Sequence, residues 1–411
     1  MPQLALLKPY LRHIYFFALV GIYFSIFYPG LMSDDSHYIY RMAKTGHYNE
    51  GHPPLMAIVW GLLDKAVSGP SLMFCLNMAL LWGAVYLLSF HLTQRGINSW
   101  LALHLPYLPW VGLYAGWIWK DIIFTFGYGF LSMILCCKAK NRQSFSFGGA
   151  VYFFLVLFYA TAVKYQAQFI APFLCYWFCT VQWPNSKNLS YFWKTAILSL
   201  SLVMSNSWIN HMLIPQTERN HFWQYVKIYD LAGISVRCGK ILLPDSLIRV
   251  PDLKAIEKKY ALLWEPLIRS TDAPLKATSN DHERKELVKA WWNAVGTHPL
   301  CYLAHRTSLI FHGLLLPYQV SNFKRVLFSP LFYLPFQLWF MFSRRFIFPV
   351  RHLNKMGLGL IAVLFFFSLA GTPRYIYFST YCFFLSVPLA LSQRWFSQCK
   401  HNLLEKKYPI C

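Results

Sequence analysis

Apolar runs of roughly 20 residues recur along this chain, and each is the length needed to cross a hydrocarbon core of about 30 Å. A water-soluble domain has no use for a series of them. Charged residues make up 13% of the 411 and hydrophobic residues 56%, whereas ordinary soluble domains carry about 25% charge. The bilayer is therefore the expected solvent for most of the protein, and the fold class is all-α and polytopic. The net charge of +22 follows from the crowding of Lys and Arg into cytoplasmic loops. No basic stripe interleaves with polar surface as a nucleic-acid groove needs, so no nucleic-acid partner is expected.

Apolar runs read against basic loops give a path of ten or eleven spans. Helices are expected at about 12–30, 70–93, 100–118, 122–137, 147–163, 167–182, 195–210, 326–343, 354–371 and 375–392. Lys8 and Arg12 precede the first run, but Phe27-Tyr28-Pro29-Gly30 is no small-x-small cleavage site, so this helix is expected to stay uncleaved. The segment 301–317 either spans or lies along the outer surface. The second option keeps Arg344, Arg345, Arg351 and Lys355 on the inner side and is preferred.

Three regions follow from this path. Residues 1–210 form an N-terminal transmembrane module with an outer loop at 31–69. Residues 211–325 form a small periplasmic domain plus a membrane-surface segment, and 326–411 hold the last helices and a cytoplasmic tail. The stretch 211–299 carries ten of the sixteen acidic residues, and helices are expected from Asp252 to Tyr260 and from Asp281 to Trp292. Cys238 and Cys301 both fall on the outer side, where an oxidising compartment permits a disulfide between them.

Carboxylates collect on that same side. Asp34, Asp35, Glu50, Asp64, Asp121 and the ten acids of 211–299 are all outer, and only Glu405 is inner. Acid–base chemistry is expected there. The most informative stretch is Ser33-Asp34-Asp35-Ser36-His37-Tyr38, then Gly46, then His52-Pro53-Pro54-Leu55. Adjacent carboxylates at the outer end of a membrane helix suit a general base for an incoming acceptor. They equally suit N-caps of an amphipathic helix from Ser36 to Thr45. Trp119-Lys120-Asp121 and Lys164 interrupt apolar sequence, either as functional charges or as side chains snorkelling to the interface. Arg306 and Arg374 sit at outer positions where an arginine can grip a phosphate with paired hydrogen bonds or anchor in headgroups.

The order of helix, Asp34-Asp35-x-x-Tyr38, short amphipathic helix, Gly46 and His52-Pro-Pro-Leu resembles the GT-C class of integral membrane glycosyltransferases. More narrowly, it is similar to the family 39-like group of protein mannosyltransferases and aminoarabinose transferases. The resemblance covers about the first 180 residues and is architectural beyond them. It implies a GT-C-like helical bundle in a bacterial inner membrane with its active site facing the periplasm. It implies Asp34 as the catalytic carboxylate with Asp35 as the second acid. Tyr38, His52 and Asp121 would position the acceptor, while Lys120, Lys164, Arg306 and Arg374 would face the donor phosphate.

The activity implied is inverting transfer of a sugar from a polyprenyl-phosphate donor to an envelope acceptor, whether lipopolysaccharide, another lipid or a protein. No cofactor is implied. His37, His47 and His52 lie near the two acids, but their spacing is not a compact ligand pattern, so no metal site is assigned, though some enzymes of the class take a divalent cation. The alternative class is a transporter or flippase of a lipid-linked saccharide, which requires polar residues deep within several helices. No Gly-rich phosphate loop and no Gly-x-Ser-x-Gly element is present.

Overall fold

The computed structural model describes residues 2–95, 99–315 and 329–404. Among these residues the chain is helical without a strand, and only isolated bridges such as Leu31 with Trp117 break the pattern. Residues 405–411 of the basic tail expected inside lie outside the described residues, as do residues 316–328, which take in the end of the expected surface segment and the start of the span expected at 326–343.

The chain divides into two compact units. Unit 1 comprises Met1–Pro215, Tyr333–Leu360 and Tyr377–Cys411, and unit 2 comprises Gln216–Phe332 and Ile361–Ile376. In unit 1, α1 (Pro2–Phe27) is followed by two helices within the loop expected on the outer side, α2 (Asp34–Thr45) and α3 (Pro54–Asp64). Then come α4 (Ser71–Thr93), a 3-10 run at Trp100–Tyr107, α5 (Pro109–Ala115), α6 (Lys120–Lys140), α7 (Phe147–Ala162), α8 (Ala171–Gln182) and α9 (Asn188–Leu213). Unit 2 holds α10 (Trp223–Cys238), α11 (Leu253–Lys259), α12 (Glu265–Ile268), α13 (Asp281–Thr297) and α14 (Pro299–Leu314). The remaining helices are α15 (Pro330–Phe342), α16 (Phe348–Phe367) and α17 (Pro373–Leu404).

Among the described residues five helices are long and apolar enough to cross a membrane: Tyr10–Phe27 within α1, α4, α6, α16, and Pro373–Gln393 within α17. The number becomes six if α9 and the following segment to Cys238 are taken as one broken span. This agrees with a helical membrane protein but falls short of the ten or eleven spans expected. The helix expected at 100–118 does not form as one piece. Pro106 and Pro109 lack the N–H that a continuous helix uses, and the chain folds there as a 3-10 run and a seven-residue helix instead. The spans expected at 147–163 and 167–182 are helices of 16 and 12 residues. At 1.5 Å per residue they reach about 24 and 18 Å, short of a hydrocarbon core. The segment expected along the outer surface forms α14, of 16 residues, and it is not among the long apolar helices.

Unit 1 is organised around α4 and α6, which pack against each other. Leu81, Val85 and Leu88 of α4 and Ile123, Phe126 and Leu131 of α6 are completely buried. Lipid tails are as apolar as these side chains, so the association rests on close packing rather than on escape from water. Gly129 shows how close. A Cβ placed there would lie 2.3 Å from the ring of Tyr381, so only glycine lets α6 and α17 approach this far.

Unit 2 has a core of its own. Ile228, Tyr229, Leu231 and Ile234 of α10 pack with Leu247, Ile256, Leu267, Leu275 and Leu287, all fully buried. The two helices expected in this region form as α11 and α13. Cys238 at the end of α10 and Cys301 in α14 are joined by a disulfide, with their Cα atoms 6.1 Å apart.

Candidate functional site

The loop at 31–69 is fastened at the start of α2. Ser33 occupies the N-cap with extended backbone, and its N–H donates to Ser36 Oγ at 3.1 Å. The Ser36 hydroxyl in turn donates to the Ile118 carbonyl at 2.8 Å, and Trp119 Nε1 donates to Ser33 Oγ at 2.7 Å. Backbone bonds from Leu31 to Gly116 and from Ile118 to Leu31, both 2.9 Å, close the seam. The capping role weighed for Asp34 and Asp35 thus belongs to Ser33. The two acids fall in the first helical turn, where the positive end of the helix dipole favours their charge. Asp34 is exposed and Asp35 half-buried. The helix ends at Gly46, which takes the left-handed conformation, φ 68°, that other residues avoid.

A second seam ties the His-Pro-Pro stretch to the start of α6. Lys120 Nζ lies 3.1 Å from His52 Nδ1, and the His52 ring leans on that of Tyr38 with centroids 5.2 Å apart. The Tyr38 hydroxyl accepts a hydrogen bond from the Asn49 amide, and the Tyr165 hydroxyl donates to the Glu50 carbonyl at 3.0 Å. Pro54 sits in the first turn of α3, where its missing N–H costs nothing. Tyr38, His52 and Lys120, chosen separately from sequence, are therefore contiguous, and the Ser33–Trp119 bond ties the chain on either side.

Asp121 and Lys164 behave differently from their expected roles. They form an ion pair in which each side chain is only 4% exposed, with Lys164 Nζ also 5.5 Å from the centre of the Phe124 ring. Expected respectively at the acceptor and at the donor phosphate, they answer each other's charge instead. The reason is desolvation: a lysine this deep requires a carboxylate beside it.

The arginines belong to unit 2. Arg306, expected at the donor phosphate, is fully enclosed. Its Nη2 is 2.7 Å from Asp230 Oδ1 and its Nη1 donates to the Ser368 carbonyl at 2.7 Å. The same carboxylate lies 3.2 Å from His305 Nε2 and accepts from Trp291 Nε1 at 2.8 Å. Enclosure and the counter-charge correct the expected phosphate role of Arg306. Some of these buried atoms, Asp230 Oδ1 among them, miss good hydrogen-bond angles, so the contact is mainly charge with charge. Arg374 opens α17, half-buried, with its guanidinium 5.2 Å from the Tyr375 ring centre.

Sequence reading misses a third tie. The Tyr40 hydroxyl donates to Asp64 Oδ1 at 2.6 Å and Lys44 Nζ lies 2.5 Å from Asp64 Oδ2, joining α2 to the end of α3. These hydrogen bonds, that of Lys44 foremost, hold the Asp64 carboxyl down at about 2. The available signal is the i,i+4 spacing of Tyr40 and Lys44, which puts both on one face of α2. Ser33, Ser36 and Trp119 have no such signal, because each works through a partner distant in the chain. Among the described residues no three His, Cys, Asp or Glu side chains gather as a metal site would need. The chain matches no protein-family model, no curated protein and no solved structure.

Proposed function

We propose that this protein is a GT-C-class glycosyltransferase that moves a sugar from a polyprenyl-phosphate donor to an envelope acceptor on the outer face of a bacterial inner membrane. The observation that carries the reading is the convergence around α2: exposed Asp34 beside Ser33, which is bonded to Trp119, with Lys120, His52 and Tyr38 joined in the next seam. A carboxylate and a half-exposed cation at the ends of apolar helices are what such a transfer requires. Asp34 takes the proton from the acceptor hydroxyl or amine as that atom bonds to the anomeric carbon. The bond from that carbon to the phosphate oxygen breaks, the electron pair leaves with the phosphate, and configuration inverts. Lys120 is the cation placed to meet the charge developing on the leaving phosphate. The buried Asp121–Lys164 pair holds the first turn of α6 from which Lys120 projects.

A transporter of a lipid-linked saccharide is the alternative, and it needs a polar path through the helices. Buried polar side chains do occur in the apolar helices, but Gln337 bonds Ser379 and Asn354 bonds Ser386, pairings that serve helix association. Asn77 of α4 differs, being buried with both amide atoms lacking partners among the described residues. The test compares envelope glycans by mass spectrometry in a deletion strain complemented with wild type or Asp34→Asn at equal membrane abundance. Addition of a sugar mass by wild type alone supports the reading. Full transfer by Asp34→Asn removes Asp34 from catalysis, and unchanged glycans in every strain move the transporter forward.

A further inference from the structure

Unit 1 also contains a cationic cavity that shares no residue with the loop cluster. It has a volume of about 510 Å³ and lies between α8 and α16. Three rings, Phe173, Tyr176 and Phe348, form its walls, and Arg351 and Lys355 bring two positive charges. These two are one helical turn apart on α16, an arrangement that is mildly repulsive on its own. Among the described residues no carboxylate lines the cavity to answer them. Arg351 Nε is buried without a hydrogen-bond partner among the described residues. His352 is already engaged, with Nε2 2.8 Å from the Phe173 carbonyl and its ring stacked 4.7 Å from Phe348. It stiffens the wall rather than adding a free donor.

A second cavity, of about 410 Å³, lies between α8 and α9 and shares Pro172 and Tyr176 with the first. Its character is different. Phe192, Ala196 and Leu200 line it beside Asn188, Thr195 and Ser199, most of its surface is apolar, and among the described residues no charged side chain lines it. A charged chamber sharing a wall with an apolar one matches a molecule with an anionic head and a hydrocarbon tail. A free anion would leave the second chamber without purpose. Basic side chains near a membrane surface attract anionic lipid by about 1 kcal/mol each, and an arginine grips phosphate oxygens bidentately.

We infer that the two cavities together bind an anionic phospholipid, its phosphate between Arg351 and Lys355 and an acyl chain along α8 and α9. The inference does not depend on sugar transfer. It requires only that α16 lies in a membrane, as its length and apolarity indicate.

The test uses the full chain in neutral detergent, followed by thermal midpoint. Short-chain phosphatidylglycerol, phosphatidylcholine with the same tails, and inorganic phosphate are titrated separately. Phosphatidylglycerol is expected to raise the midpoint while the other two do not. Arg351→Gln with Lys355→Gln is expected to weaken the phosphatidylglycerol effect at least about tenfold, and Arg344→Gln with Arg345→Gln to leave it intact. Ala196→Trp, which fills the apolar chamber, is expected to weaken it too. Equal response to phosphatidylcholine, or full response in the Arg351/Lys355 variant, overturns the anionic site. Inorganic phosphate matching the lipid overturns the lipid as occupant, and an unaffected Ala196→Trp overturns the tail placement. Comparing lipids on the wild-type chain keeps the first test independent of how any variant folds.

Discussion

Lys164 and Asp121 stand 43 positions apart in the chain and meet as a buried ion pair, each side chain 4% exposed. Taking one partner away strands a charge in a medium that solvates it poorly. Lys164→Ala or Asp121→Ala is expected to cost about 3–5 kcal/mol, whereas Lys164→Met with Asp121→Leu recovers most of the loss. Thermal unfolding in detergent reads this directly. Single variants as mild as surface substitutions would show that water reaches the pair.

Ser33 and Trp119 carry the seam that presents Asp34. Ser33→Ala removes an N-cap and is expected to cost about 1 kcal/mol. Trp119→Phe removes the indole donor at a cost of about 0.5–1.5 kcal/mol. Because the two groups bond each other at 2.7 Å, a double-mutant cycle should return a coupling of at least about 0.5 kcal/mol. Strict additivity would mean that the bond is not formed in solution.

His305 makes the stability of unit 2 sensitive to pH. Burial lowers its pKa, and although hydrogen bonding to Asp230 works the other way, the nearby charges of Arg306 and Arg237 add to the lowering. Tyr260 Oη lies 2.6 Å from its other ring nitrogen, and a neutral ring with its proton toward Asp230 suits both neighbours. An unfolded histidine titrates near about 6.5. As pH falls through that value the unfolded chain takes up a proton that the folded site refuses. The stabilising contribution is therefore complete above about 6.5 and declines below it toward the folded pKa. Hydrogen exchange of α10 amides between about pH 7.5 and 5 should show the decline, and His305→Gln should flatten it. A level profile in the wild type would contradict the buried neutral ring.

The Cys238–Cys301 bridge closes a loop across a separation of 63 residues. Chain entropy sets its contribution at up to about 4 kcal/mol. Cys238→Ser with Cys301→Ser should lower the unfolding midpoint of unit 2, and a reductant should do the same to the wild type. If neither changes the midpoint, the bridge adds nothing to stability.

Much of this architecture is local and so is legible from residue order. The runs that become α4 and α6 need only apolar length, and the helices at Leu253–Lys259 and Asp281–Thr297 need only charge periodicity and the caps Asp252 and Asn280. The broken stretch at 100–115 misleads because its composition is that of a span while Pro106 and Pro109 decide otherwise. At the candidate site, Tyr38, His52 and Lys120 are recognisable by type and position. Ser33, Ser36, Asn49 and Tyr165, which hold them together, are not.

The sequence by itself determined that the chain is helical and suited to a bilayer, and that a short amphipathic helix follows the Asp34-Asp35 doublet. Periodicity, hydropathy and capping are properties of a few neighbouring residues. Only the tertiary structure decided which charges meet: Asp121 with Lys164 and Asp230 with Arg306. A charge removed from water takes whatever counter-charge packing delivers, and packing joins residues that the chain keeps far apart. That is why Arg306 and Lys164, read as cations for a phosphate, are buried partners of carboxylates, while Arg351 and Lys355 face a cavity that no carboxylate among the described residues lines.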